Sequence, residues 1–266
     1  MAELELEQAQ TAFTLSTDEM TTAFLLCGYG EVAAEILNAS KRISSEEERV
    51  RFAEHTETLL KHRGYWDSER ESNLIKEFES FIHTLMRASK RLRCVRGNTV
   101  LMLHHVEGDN AIVQTCKGAD HSFELVDDVE QRTTFLHDFY EVEEVDTQAL
   151  EGFTMEVDFF EMLHEITAEQ LDELIEKEAY AGSILQFLKD YRANKLVFDN
   201  ISFLQTDYAV KNESELLEMQ FLLESEDFVW HIHYHDIEEK QEVYVYPVEK
   251  REYLGMIIDG LNDWFR

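Results

Sequence analysis

Two blocks of short strand-forming runs, far apart in the chain, constrain the fold more than any other feature of this sequence. The first block consists of residues 99–106, 111–116 and 121–126, with the turn-forming stretches 107–110 and 117–120 between them. Runs of this length, separated by turns that contain Gly and Asp, are typical of antiparallel strands joined by hairpins. The sequence therefore predicts a three-stranded antiparallel meander in its first half.

The second half contains a similar block at an offset of roughly 116 to 120 residues, as an internal repeat would place it. Its runs are residues 215–224, 228–235 and 241–246, after a strand near 196–204 and helices from about 157 to 194. The pattern Phe-Thr-Leu at 13–15 has a counterpart in Phe-Thr-Met at 153–155. Order and spacing together indicate that the two halves follow one plan.

We therefore predict an α+β fold with a pseudo-twofold repeat, in which each half has helices, an antiparallel three-stranded meander and a further helix. A central antiparallel sheet, or two such sheets, would be flanked by helical bundles. The halves are residues 1–152 and 153–266, and we expect them to form one compact unit.

Helix boundaries follow from capping signals, because the chain has only one proline and ten glycines to interrupt it. In a capping box, a Ser or Thr before the helix and a Glu or Gln three residues later bind free backbone N–H groups. The pairs with this pattern are Ser16 with Glu19, Ser45 with Glu48 and Thr167 with Gln170. We also expect helix ends at Gly28 and Gly64 and a last helix from Pro247.

The charge of the chain excludes several classes of partner. Asp and Glu number 56 against 24 Lys and Arg, which gives a formal net charge of -32. Because this charge repels polyanions, we expect no nucleic-acid partner and no attraction to anionic membranes. The same charge suits a basic protein partner or an acidic surface that is simply solvated.

Cysteine usage and hydropathy predict the compartment. Cys27, Cys94 and Cys116 are an odd number of cysteines without CxxC spacing, which is typical of a reduced compartment. Residues 1–11 are acidic and polar, so we expect no signal peptide, and no apolar run approaches about 18 residues. We therefore expect a cytoplasmic protein that does not insert into a membrane.

No motif of the common nucleotide-binding, metalloprotease or serine-hydrolase classes occurs in the sequence. His231, His233 and His235 could bind zinc, since alternate residues of a strand share one face. Phe228, Trp230, Ile232 and Tyr234 alternate with these histidines and instead indicate an ordinary strand with one apolar face. We expect no enzyme, no catalytic residue, no cofactor and no metal, and a zinc-dependent hydrolase stays an alternative.

The same alternation gives the second meander a polar and aromatic face. Its members are Glu218, Gln220, His231, His233, Glu242, Tyr244 and Tyr246. Tyrosine provides contact area at low entropic cost, so this composition favours a protein-binding surface, with a plainly solvated face as the alternative. The opposite face would bury Leu217, Met219, Phe221, Leu223, Val243 and Val245.

Two segments, FTLSTDE at 13–19 and LLKHRGYWD at 59–67, resemble the EspG family of ESX secretion-associated proteins. The resemblance extends to the short helices after the first segment and the long helix after the second. It implies a quasi-twofold α+β fold over nearly the whole chain, with a central antiparallel sheet flanked by helical bundles. It also implies a cytosolic chaperone for helical substrates of type VII secretion.

The chain departs from that family in composition. The prolines that usually follow the first helices are missing, and the chain is rich in Glu, with Firmicutes-like use of Lys, Ile and Asn. A distant, Firmicutes-type member would bind a WXG100-like or LXG-like helical hairpin, whereas mycobacterial members bind PE–PPE substrates. The predicted function is thus a non-enzymatic chaperone or adaptor; the alternative is an acidic immunity protein or antitoxin that neutralises a basic toxin domain.

Overall fold

The computed structural model describes residues 12–40, 45–141, 150–176, 180–208, 213–226, 228–233 and 241–266. Contacts within the chain form two compact units. The first unit contains Met1–Leu92, Thr99–Arg132 and Leu204–Leu216, and the second contains Arg93–Asn98, Thr133–Phe203 and Leu217–Arg266. Each unit has its own hydrophobic core.

The described elements follow nearly the same order twice along the chain. The first series is β1 (Phe13–Ser16), α1 (Thr17–Leu26), α2 (Gly30–Ser40), α3 (Glu46–His62), α4 (Lys76–Arg87), β2 (Lys90–Arg96), β3 (Thr99–His105), β4 (Ala111–Lys117), β5 (Asp120–Val126) and α5 (Val129–Tyr140). The second series is β6 (Phe153–Glu156), α6 (Val157–Glu165), α7 (Ala168–Glu176), α8 (Gly182–Ala193), β7 (Asp199–Asp207), β8 (Glu213–Glu224), β9 (Phe228–His233), β10 (Glu242–Glu249) and α9 (Lys250–Phe265). The α+β class is confirmed. None of the described helices combines the length and the apolar character needed to cross a membrane.

In the first unit, β1, β5, β4 and β3 lie side by side in that order, and each neighbouring pair is antiparallel. Strands β3 to β5 are the predicted meander. Strand β1 pairs Phe13 with Phe123 of β5, and the Phe13 ring lies 5.3 Å from that of Phe78 on α4. Helices α1 to α4 therefore cover one face of these strands and bury its apolar side chains.

Helix α1 begins with the predicted capping box. The Ser16 hydroxyl accepts the Glu19 N–H at 3.2 Å, and the Glu19 carboxylate accepts the Ser16 N–H at 2.7 Å. Glu19 is fully buried, and its carboxylate also accepts a hydrogen bond from Nε of Arg63, the residue after α3, at 2.6 Å. Burial raises the pKa of Glu19, but Arg63 and the Ser16 hydrogen bonds outweigh it and hold that pKa below its usual value. The boxes at Ser45 and Thr167 are also confirmed.

Two predicted helix ends are confirmed, and one predicted start is wrong. Gly28 and Gly64 have φ of 89° and 78°, in the left-handed region that glycine adopts without strain. The last helix does not start at Pro247, because β10 continues to Glu249. Pro247 lies opposite Trp230 of β9, whereas the pairing of β10 with β6 ends at Val245. Proline is tolerated where a strand is paired on one side only.

In the second unit, β8, β9, β10 and β6 lie side by side in antiparallel order. One face carries Leu223, Trp230, Ile232, Val243 and Val245, which pack against α6, α7 and α8. Asp190 of α8 accepts the Trp230 indole N–H at 2.8 Å, which satisfies that buried donor. The predicted apolar face is thus correct at its centre. Burial of Leu217 and Met219 is wrong, because these side chains are 45% and 36% exposed.

Candidate protein-binding surface

The polar and aromatic residues predicted to bind a partner lie on β8, β9 and β10 of the second unit. The antiparallel register puts Tyr244 opposite His233 and Tyr246 opposite His231, so these side chains share one face. Leu222 of β8 lies opposite His231, and the alternation of a strand adds the side chains two and four positions earlier. We call this set the contact face: Glu218, Gln220, His231, His233, Glu242, Tyr244 and Tyr246.

His231 is the buried anchor of the contact face, at 8% exposure. Its Nδ1 is hydrogen-bonded to the Tyr246 hydroxyl at 2.7 Å, and its ring centroid lies 5.2 Å from that of Tyr253 on α9. The Tyr253 hydroxyl donates to Gln220 Oε1 at 3.3 Å. Helix α9 therefore covers this part of the face, and the role of His231 is to position Tyr246.

Tyr244 is 46% exposed and provides accessible aromatic area. Its ring stacks on that of Tyr246 with centroids 5.3 Å apart and an angle of 28°. Burial raises the pKa of Tyr246, and the nearby Tyr244 and Glu252 raise it further, so this hydroxyl stays protonated at neutral pH. The two stacked rings form an aromatic platform.

Gly152, just before β6, allows the chain to pass close to this platform. A Cβ atom at this position would lie 2.6 Å from the Tyr244 hydroxyl oxygen and 3.0 Å from the Tyr246 Cβ. Both distances are shorter than an ordinary carbon contact, so any larger residue would displace the tyrosines. Gly152 is therefore part of the support of the contact face.

Exposed carboxylates border the tyrosines. Glu242 of β10 lies directly opposite Glu156 of β6, and both are exposed. Like charges in such a cross-strand pair repel each other, and a cation placed between them would relieve the repulsion. Glu218 is also exposed and accepts Nε2 of Gln220 at 2.7 Å. The border of the contact face is thus negatively charged.

Sequence reasoning misses four residues that belong to this surface. Gly152 and Tyr253 support the tyrosines, while Thr154 and Glu156 lie opposite Tyr244 and Glu242. A four-residue strand such as β6 has too few positions for alternation to identify it. The available signal was the likeness of its Phe-Thr-Met pattern to that of β1.

Charged side chains also connect β2, β8 and α9 in the second unit. Arg96 donates to both oxygens of Glu224, at 3.1 and 3.0 Å, and Lys250 donates to the same carboxylate at 3.2 Å. Nearby, buried Asp199 accepts the Gly97 N–H at 2.7 Å. Burial raises the pKa of Asp199 to about 6, although the Gly97 hydrogen bond opposes that shift. The hydrogen bonds of Glu224 to Arg96 and Lys250 thus fasten β2 and α9 to β8.

Within the described part of the chain, no group of three His, Cys, Asp or Glu side chains could hold a metal ion. The rings of His231 and His233 are nearly perpendicular, with centroids 6.0 Å apart. His235 of the alternative zinc site lies outside the described residues. The zinc-dependent hydrolase therefore stays a hypothesis, and the described residues supply no set of zinc ligands for it.

Comparison with known proteins places the chain in a family. The family model described as "Uncharacterised protein YfjC" matches residues 12–254, and the chain belongs to this family. No curated protein matches the sequence.

Among solved structures, the chain is similar to one in the structure of the Mycobacterium tuberculosis type VII secretion system chaperone EspG5 in complex with a PE25–PPE41 dimer. The two share 8% identity and a TM-score of 0.51, over 94% of this chain and 95% of that chain. This likeness supports the EspG-like fold.

Proposed function

We propose that this YfjC-family chain is a non-enzymatic, cytoplasmic chaperone or adaptor that binds helical substrates of a type VII, ESX-like secretion system. The observation that carries the proposal is the agreement in fold with the EspG5 chaperone structure over nearly the full length of both chains. EspG5 is there in complex with a PE25–PPE41 dimer. For the present chain, the substrate would be a secreted helical hairpin of WXG100-like or LXG-like type.

The contact face supports the proposal because it offers what protein recognition needs. A chaperone of this kind requires area and complementarity rather than reactive groups. The Tyr244–Tyr246 stack is held in place by Gly152 and His231, so little side-chain freedom would be lost on binding. The carboxylates at its border would select partners that place Lys or Arg there.

A double variant of the contact face tests this placement. Tyr244→Ala with Glu242→Ala removes an exposed aromatic ring and an exposed carboxylate without opening the core. We expect client recovery in affinity purification from the source organism, quantified by mass spectrometry, to fall about tenfold, as for a lost interface anchor. The matched control is Val50→Ala with Glu47→Ala, an exposed pair on α3.

The two possible failures differ in meaning. If secreted helical proteins are recovered equally with both double variants, the contact face is not the binding site. If the wild-type chain recovers no secreted helical protein, the chaperone proposal itself is wrong.

The net charge of -32 favours one second candidate, an acidic immunity protein or antitoxin. This reading predicts recovery of a single basic toxin domain, with yield that decreases as salt is raised from low to moderate concentration. Co-expression with that toxin should restore growth, and an absence of protection would eliminate this candidate.

A further inference from the structure

One face of β8 carries a row of apolar side chains that extends from the core of the second unit into solvent. Leu223 is buried in that core, and Phe221 is half-buried against it. Two and four residues earlier on the same face, Met219 and Leu217 are exposed. We call Leu217, Met219 and Phe221 the apolar stripe. It lies on the opposite face of the strand from the contact face, so the proposed function does not use it.

Exposed apolar side chains that stand alone are ordinary, but these continue a core. At a spacing of two residues along a strand, neighbouring side chains of the stripe are about 7 Å apart and can be covered by one ligand segment. A continuous apolar row that leaves the core at a strand is typical of an interaction site. The stripe therefore predicts an apolar contact from outside the second unit's own core.

The inner end of the stripe is bordered by acidic groups of α6. The rings of Phe221 and His164 have centroids 6.4 Å apart, which places the last turn of α6 beside the stripe. Glu161 and Glu165 are exposed on that helix, one turn before His164 and directly after it. The helix ends at Glu165, so its last carbonyl groups add partial negative charge. This border favours a cationic ligand.

The charge argues for one kind of occupant. A second copy of this chain would bring a formal charge of -32 against the same charge, and this repulsion disfavours self-association through an acidic border. A basic segment with one apolar side would be attracted by the border and would cover the stripe.

We propose that the apolar stripe and the acidic end of α6 bind a basic amphipathic segment of a protein partner. Apolar side chains of that segment cover Leu217 and Met219, and its Lys or Arg side chains pair with Glu161 and Glu165. The inference rests on the proposed function only in requiring that this chain binds another protein. It assigns a second binding surface to the chain and states that this surface recognises a basic amphipathic segment.

The test uses the full chain and a synthetic peptide, LKKLLKLLKKLLKL, with blocked ends, which is basic and amphipathic as a helix. Isothermal titration calorimetry measures its affinity for the wild type and for Leu217→Ser with Met219→Ser. The matched control is Leu25→Ser with Val50→Ser, which changes two exposed apolar residues of the first unit. Because all four residues are exposed, neither variant opens a core.

We expect the stripe variant to weaken peptide binding about tenfold, since two large apolar side chains lose their contact, and the control variant to leave it unchanged. Glu161→Gln with Glu165→Gln should weaken it about threefold at low salt. Glu46→Gln with Glu47→Gln removes the same charge from α3 and should have less effect. A peptide with Glu at every Lys position should not bind.

Three results would overturn the inference: no binding of the peptide, equal weakening by the stripe and control variants, or self-association of the wild type that the stripe variant abolishes. The outcome is separate from that of the chaperone proposal. Recovery of a helical client by the wild type, together with equal peptide binding by the stripe and control variants, would refute the inference and leave the proposed function standing. Peptide binding that the stripe variant weakens, together with failure of the wild type to recover any helical client, would support the inference and refute the proposed function.

Discussion

Asp199 shows how one buried group controls stability through its proton. Its folded pKa of about 6 lies above the ordinary value of 3.8, because burial disfavours the charged form. Between these values the folded state binds the proton more tightly than the unfolded state. Stability from this group is therefore present at low pH and is lost as pH rises through about 6.

Asp199→Asn should remove this cost, since the amide oxygen can still accept the Gly97 N–H. The rise of this pKa from 3.8 to about 6 corresponds to about 3 kcal/mol, so we expect the free energy of unfolding at about pH 7.5 to increase by up to that amount. The gain should fall to about half near pH 5. Urea unfolding at both pH values measures it, with exposed Asp259→Asn as control. A gain independent of pH would contradict the assignment.

Two buried residues show which residue-scale features alternation alone misses. Alternation places His231 on the contact face correctly, but its burial depends on Tyr253 of α9, which is distant in the sequence. Arg91 is buried because its guanidinium donates to the carbonyl oxygens of Ala88 and Leu85 at the end of α4, at 3.1 and 2.9 Å. Nothing in the sequence around either residue marks such tertiary contacts.

At the scale of elements, prediction succeeded where local signals are complete. Capping boxes define the starts of α1 and α3 because both partners lie within four residues. The meander of β3 to β5 is recognisable because its strands alternate and its turns contain glycine. Strand β2 was missed because four of its seven residues are basic, although Leu92 and Cys94 alternate into the interior. The short β1 and β6 depend on partners more than 80 residues away.

The junction between β6 and β10 predicts the effect of a minimal change, Gly152→Ala. The added methyl group would displace the Tyr244 ring and press on Tyr246. We expect about 1 kcal/mol of destabilisation and a changed near-ultraviolet circular dichroism signal from the tyrosines. Gly255→Ala on α9 is the control, because a Cβ atom there has no neighbour within 4 Å. That change should stabilise the helix slightly, and similar effects of both changes would contradict the role given to Gly152.

At the scale of the whole molecule, the first unit needs residues from late in the chain. The Thr206 backbone N–H donates to the Ser89 carbonyl at 2.7 Å, and its hydroxyl donates to the Ala88 carbonyl at 2.9 Å. The Tyr208 ring lies 4.6 Å from the Arg91 guanidinium. The division at residue 152 stays a prediction, and these contacts indicate what a cut there would remove.

We expect a fragment of residues 1–152 to unfold at lower urea concentration than the same region of the full chain. Adding a fragment of residues 153–266 should restore amide protection at 88–91, as measured by hydrogen exchange. A second fragment carrying Thr206→Val should restore it less well, because the side-chain hydrogen bond is lost. Equal protection in the first fragment alone would show that the late residues are dispensable.

The late position of Thr206 also has a consequence for protein synthesis. Domains commonly fold as they leave the ribosome, the earlier one first. Here the first unit includes Leu204–Leu216, so it waits for residues encoded in the second half of the gene, whereas the second unit includes the early segment Arg93–Asn98 and is complete only at the end of the message. Translation that stops just before residue 204 would deprive the first unit of its late residues as well as truncating the second. The nascent chain therefore carries two incomplete units, exposed to proteases and chaperones, until most of the message has been read.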